Sequence, residues 1–465
     1  MRTIAAALAV LCTLLAAPAV AVPAHAAPAG PYAEVDAYVR DRMRETRTPG
    51  VSYAVVGPDG PIHRRSWGTD GRGDPVTPAT PFGWGSVAKP VTATGVMTLV
   101  QSGRLDLDDP VAEHVPEFTF DPAVTVRHLL GHTSGIPPEA TFEVADCYTG
   151  CPRPAGRLAA LDDLEPLGPP GTEYAYTSAN YVALAAVVES VTGRPFADFM
   201  REAVFDPIGM DGAIADAESA RKLPPGHQLL WGFPTATADG YDPHGAAYGY
   251  LSGDLDDLAA FASAQLRGSV LAPESVRQMR QESKAGTGYG LGWRVGGLDA
   301  PLQNAIWHTG ASPGYSAMLF LLPEREIGIV VQQNMYGLLQ DGAIMKVGFG
   351  AARVLAGAEP GDAPYATVHH ATVWGLTALA LALVLATARS IAVLRRPNRL
   401  ATTVAWCAAG LVPWLPAAGV LTVLDARRLW AWVPDATLAL GVAVLAGTAT
   451  IALRLGALRN RAPGE

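Results

Sequence analysis

The chain has 465 residues, 49% of them hydrophobic and 17% charged, with a formal net charge of −9. Its charge is uneven: residues 367–465 hold nine Arg against Asp425, Asp435 and Glu465, which leaves −15 on everything before them. An acidic body of that size is no surface for a phosphate backbone, so nucleic acid is excluded as a partner.

In chain order, Met1-Arg2, an apolar run from Ile4 to about Val22 and the small-residue sequence PAHAAPAG predict a signal peptide over 1–26. The domain that follows, 28–356, is therefore expected outside the cytoplasm. Cys12 leaves with the signal. Cys147 and Cys151, in DCYTGC, are the only pair in the exported part, and they are either a short disulfide or two free thiols.

A helix is predicted over 32–46. VSYAVV (51–56) and PIHRRSW (61–67) flank the turn signal Gly57-Pro58-Asp59-Gly60 and read as a β-hairpin. A helix is expected over 86–101, with Pro90 in its first turn, where a missing N–H does least harm. Residues 105–285 read as helix and loop, including a helix closed by Gly193. Strands return at 289–295, 304–310, 315–322 and 327–334. Strands at both ends of a helical middle predict an α+β domain in which the two ends meet in one antiparallel sheet beside a helical lobe.

After a flexible linker over 357–370, three apolar stretches at 371–394, 401–423 and 436–453 each approach the ~20 residues needed to cross a bilayer. They predict a membrane domain over 371–456 with three transmembrane helices, the second kinked by Pro413 and Pro416, and a cytoplasmic tail over 457–465. Arg395, Arg396 and Arg399, together with Arg454, Arg459 and Arg461, fall inside on this topology and outweigh Arg427 and Arg428 outside. The expected location is the bacterial cell membrane, multi-pass, with the large domain outside.

Of 34 basic residues only four are Lys, at 89, 222, 284 and 346. Lys89 stands three residues after Ser86 in GWGSVAKP. At that spacing both share one helical face, and Lys, unlike Arg, can give up its proton when buried. The pair reads as a nucleophile with a neighbouring base. His128 and His132 are four apart, but Gly131 interrupts their helix and no carboxylate completes a metal site. His369 and His370 read as interfacial.

With GSVAK (85–89), VRHLLGHTSGIP (126–137), GTEYAYTSANY (171–181) and WHTG (307–310) in that order, the chain resembles the serine β-lactamase and penicillin-binding-protein superfamily. Within it, the resemblance is to the branch of class C β-lactamases, D-Ala-D-Ala carboxypeptidases, D-aminopeptidases and related esterases, over about residues 33–356. The resemblance implies that Ser86 forms an acyl-enzyme, that Lys89 is its base and that Tyr176 passes a proton to the leaving group. It also implies that His308 stands where the third motif has lysine, and that Thr309, Gly310 and Ala311 line the substrate strand. The N–H groups of Ser86 and Ala311 become the oxyanion hole. One departure bears on substrate choice: Ser178 occupies the place of an asparagine, either contacting substrate or capping the next helix, with Asn180 two residues on. Neither metal nor cofactor is implied. The expected partner is a small-molecule or peptide substrate, namely a D-amino-acid peptide or β-lactam, with an ester next. From another class, a non-turnover penicillin- or peptide-binding sensor is the alternative.

Overall fold

The structure is a computed structural model and describes residues 30–238, 240–361, 367–394, 400–422 and 425–459. The signal segment, the Arg395–Arg399 loop and the end of the tail lie outside the described residues.

Helix α1 (Ala33–Glu45) leads into β1 (Gly50–Gly57) and β2 (Gly60–Gly68), the expected hairpin, turned at Gly60 with φ +129°. A single 3-10 turn, Gly85–Val87, opens α2 (Ala88–Gln101). The lobe contains α3 (Val126–Leu130) and α4 (Ala179–Thr192), which Gly193 ends in the left-handed region at φ +69°. It also holds a hairpin of β3 (Gly226–Leu230) and β4 (Phe233–Ala238), then α5 (Leu255–Arg267) capped by Asp254. The chain returns through β5 (Arg294–Val295), β6 (Ile306–Ser312), β7 (Tyr315–Leu322), β8 (Ile327–Gln333) and α6 (Asp341–Leu355).

These strands form one antiparallel sheet in the order β2-β1-β8-β7-β6-β5, so the two ends of the domain do meet. Both faces are covered. Val51, Tyr53 and Val55 join Met318, Phe320 and Val331 in a core under α1 and α6. Ala54, Val56, Leu319, Leu321 and Val330 face the helical lobe. Alternate side chains of a strand point to opposite faces, so burial on both sides makes β1 and β7 largely apolar, with Ser52 and Ser316 buried among them.

Two expectations are corrected. Residues 289–295 are not a strand except at Arg294–Val295. Gly292 has φ +82°, and a Cβ at Gly290 would lie 2.2 Å from the Met279 carbonyl oxygen, so this segment is a tight loop pressed on its neighbours. The β3–β4 hairpin lies inside the region read as helix and loop, with Trp231 and Gly232 at its tip in the left-handed region.

Three apolar segments long enough to cross a bilayer follow: α7 (Thr367–Ala392), the pair α8 (Leu400–Leu411) and α9 (Trp414–Leu421), and, after the short α10 (Ala426–Trp432), α11 (Pro434–Arg459). The second breaks at Pro413, as expected. Ala380 and Leu383 of α7 pack on Ala443 and Ala446 of α11, and a Cβ on Gly447 would meet the Gly410 carbonyl at 2.3 Å. Leu415 is 80% exposed and Leu445 73%, an apolar outer surface suited to lipid rather than water. Helix α7 already begins at Thr367, inside the expected linker. The domain rests against these helices: the Trp231 indole N–H donates to Thr377 Oγ1 at 2.7 Å, and the Trp231 backbone N–H donates to Asp435 at 3.1 Å.

Candidate active site

Ser86 sits in the 3-10 turn where the sheet meets the helical lobe. Gly85 takes φ +53°, and a Cβ there would fall 2.1 Å from the backbone nitrogen of Ala311. A Cβ at Gly310 would fall 2.0 Å from the Trp84 carbonyl oxygen and 2.5 Å from the Ser86 nitrogen. Two glycines thus let β6 lie directly against the turn, which brings the backbone N–H groups of Ser86 and Ala311 into one locality. Strand β5 pairs only with Ile306 and Trp307, so the β6 backbone from Thr309 to Ala311 has no strand partner on that edge. Burial alternates along β6, with His308 and Gly310 buried and Thr309 and Ala311 half-buried. Such an edge accepts an extended ligand by backbone hydrogen bonding.

Lys89 is fully buried. Its Nζ donates to Ser86 Oγ at 3.0 Å and to the Tyr248 carbonyl at 2.7 Å, and approaches Ser178 Oγ at 3.4 Å. Burial first and the nearby Arg294 charge second, against an opposing pull from Asp146, lower its pKa to about 7. As a neutral amine it keeps two N–H groups for Tyr248 and Ser178 and has a lone pair for the Ser86 proton.

Tyr176 packs its ring 5.0 Å from Lys89 Nζ. Burial pushes its phenol up, while the Ser86 side chain and the Arg294 charge pull it back down. Ser178 stands at the head of α4 but makes no side-chain cap, and its hydroxyl turns to Lys89 instead. Asn180 is spoken for elsewhere: its amide bonds to His132 Nδ1 at 2.9 Å and to Ser134 at 2.7 Å.

His308 is buried on β6, its ring 6.2 Å from that of Tyr176. Its Nδ1 is 2.7 Å from the Thr309 carbonyl, which only accepts, so Nδ1 carries the proton and Nε2 accepts from the Tyr289 hydroxyl at 3.1 Å. Burial, with Arg294 and Lys89 nearby, holds its pKa well below 6.5. The ring is neutral at physiological pH. His128 and His132 serve different ends: His128 Nδ1 accepts from the Thr125 N–H in the cap of α3, and His132 packs with its ring 4.3 Å from that of Tyr176, tilted by 38°.

Sequence reasoning missed Arg294 and Tyr289, on the tight loop read as a strand, and Tyr248, which offers only its carbonyl. The Arg294 guanidinium lies 5.6 Å from the Tyr176 ring and 5.9 Å from Tyr289. An Arg embedded in YGLGWRV, among glycines and aromatics, is the one signal that could have flagged it. Cys147 and Cys151 are bonded, with Cα atoms 5.5 Å apart.

The arrangement offers a hydroxyl activated by a low-pKa amine, a phenol and a strand edge, which is equipment for acyl transfer through a covalent intermediate. Penicillin-binding protein 4 of Amycolatopsis lactamdurans is 32% identical over 314 residues, covering 61% of this chain and 80% of that protein. The octameric penicillin-binding protein homologue from Pyrococcus abyssi superposes with TM-score 0.61 at 25% identity, over 70% of this chain and 78% of its own. A structure of SurE with D-Leu matches at TM-score 0.54 and 25% identity, over 71% and 77%. The family model described as Beta-lactamase matches residues 35–346, and the chain belongs to that family of serine hydrolases.

Proposed function

We propose that the protein is a membrane-held, outward-facing serine hydrolase that cleaves D-amino-acid peptide amides through an acyl-enzyme on Ser86. The observation that carries this reading is the 3.0 Å contact between Ser86 Oγ and a Lys89 amine whose pKa is about 7. Lys89 takes the serine proton as Oγ attacks the carbonyl carbon. The N–H groups of Ser86 and Ala311 receive the negative oxygen, and Tyr176 returns a proton to the leaving amine as the C–N bond breaks. Water then cleaves the ester on Ser86, releases the acid and restores the hydroxyl. The open edge at Thr309–Ala311 holds the substrate backbone, and Ser178 meets its acyl side. Arg294 is the cation left near the site, because His308 is neutral. A substrate carboxylate therefore has Arg294, not residue 308, as its counter-charge.

Support for D-amino-acid substrates comes from the SurE structure with D-Leu and from the penicillin-binding relatives. An ester-cleaving reading is favoured by one feature: Ser178 has no amide with which to grip a peptide side chain. The test is the full chain in detergent or nanodiscs against D-aminoacyl anilides, reporter esters and a labelled penicillin, with mass spectrometry of the adduct. Turnover of the anilides with an acyl mass on Ser86, lost in Ser86→Ala, is the expected result. Ester turnover alone selects the second reading. Stoichiometric penicillin labelling without turnover makes the protein a receptor.

A further inference from the structure

The short helix α10, between the second and third apolar segments, lies on the loop that carries the disulfide. The Trp432 indole N–H donates to Asp146 Oδ2 at 3.3 Å, Arg428 donates to the Ala145 carbonyl at 2.9 Å, and Arg427 donates to Thr149 Oγ1 at 2.6 Å. The Arg427 guanidinium also sits 5.1 Å over the Tyr148 ring. Asp146 takes φ +56°, a conformation Asp tolerates, and this aims its carboxylate at both neighbours.

From Asp146 the contacts continue inward. Its Oδ1 accepts from the Tyr250 hydroxyl at 2.8 Å, and its backbone N–H donates to the Tyr248 hydroxyl at 2.7 Å. Both tyrosines belong to the tight turn Ala246–Tyr250. The Tyr248 carbonyl of that turn receives Lys89 Nζ, and its Ala247 carbonyl receives Thr92 Oγ1 of the same helix α2 at 2.9 Å. The Tyr248 hydroxyl also donates to Asp242, whose carboxylate is held by Arg157 at 2.6 and 2.7 Å. A continuous run of hydrogen bonds therefore joins a helix between membrane segments to the amine beside Ser86.

We infer that Asp146 is a positioning residue for Lys89, and that Trp432 and Arg428 of the membrane module set it, so the membrane module completes the catalytic machinery as well as anchoring it. The inference rests on the assignment of Ser86 and Lys89 made above. Around Lys89 stand Arg294, Asp146, His132 and His308, with the rings of Tyr176 and Tyr181. Around Asp146 stand Arg428, Asp242, Tyr148, Tyr248 and Tyr250. Burial pushes the Asp146 carboxyl up, and the donors Tyr250 and Trp432 bring it back towards the charged form. The charged form raises the Lys89 pKa. Withdrawing Trp432 therefore weakens that charge and lets the Lys89 pKa fall.

The test uses the full chain in phospholipid nanodiscs, with acylation by a reporter ester followed from pH 5 to 9. The midpoint of the acid limb is the readout, because it does not depend on the fraction of protein folded. Asp146→Asn is expected to move it down by about 0.5–1 pH unit, and Trp432→Phe by less in the same direction. In the double variant the two shifts are not additive. Trp414→Phe, in α9 and bonded to Thr448 at 3.2 Å, is the control for a general disturbance of the membrane segments and leaves the midpoint in place. An unmoved or rising midpoint in Asp146→Asn overturns the inference, as does a Trp432→Phe shift of full size when Asp146 is already Asn. Acylation that survives Ser86→Ala instead removes the reading beneath it.

Discussion

Burial settles the chemistry of Lys89 and of His308, in opposite senses for function. Each loses its charge more readily than in water, but the lysine becomes a base at neutral pH while the histidine is kept from becoming a cation. Because the Lys89 pKa is lowered to about 7, the amine is protonated below that pH and cannot accept the serine proton. Acylation should fall about tenfold per pH unit below 7 and level off above it, with no second limb from His308 between pH 6 and 8. Replacing Lys89 with Arg fixes the charge, and stopped-flow acylation of Lys89→Arg should be slower by about 10³-fold or more. Tyr289 gives a different outcome. Tyr289→Phe leaves His308 Nε2 buried without its donor, at a stability cost of about 1–3 kcal/mol in a denaturant melt. The pH midpoint of acylation stays where it was.

At the scale of elements, the contact between β6 and the turn bearing Ser86 depends on two residues without side chains. Gly310→Ala places a methyl 2.0 Å from the Trp84 carbonyl oxygen, so the strand must retreat from the serine. Acylation should drop more than about a hundredfold, since small displacements are expensive in a preorganised site, while far-UV circular dichroism stays unchanged. That close approach was not legible in the chain, but other local features were. Ser86 and Lys89 stand out because their geometry follows from spacing on one helical turn, Tyr176 and Ser178 because they fall where the resembled family carries its second motif, and β1 and β7 because apolar runs need two covered faces. Tyr289, Arg294, Tyr248 and Asp146 were not, since each reaches the site through a tight loop whose shape is imposed by what it packs on. The same reason hid the β3–β4 hairpin, whose partners are the apolar helices more than a hundred residues later.

For the whole molecule, the hairpin and α10 hold the β-lactamase-family domain against the three apolar segments. Trp231→Ala removes the bond to Thr377, so the domain should loosen on its support and become more quickly cleaved by protease between the domain and α7. Ester turnover by the loosened variant remains within severalfold of the parent, because the Trp432 contact is separate. Helix α7 advances ~1.5 Å per residue, and Trp231 meets it at Thr377, ten residues past its start at Thr367. The stretch below that point, to Ala392, is only ~23 Å long, against ~30 Å of hydrocarbon. If α7 spans a bilayer as proposed, its upper turns also enter lipid, and the hairpin goes down with them. Phe233, 70% exposed beside that tip, is then the side chain placed to meet the headgroups, with the hairpin as the waterline of the domain.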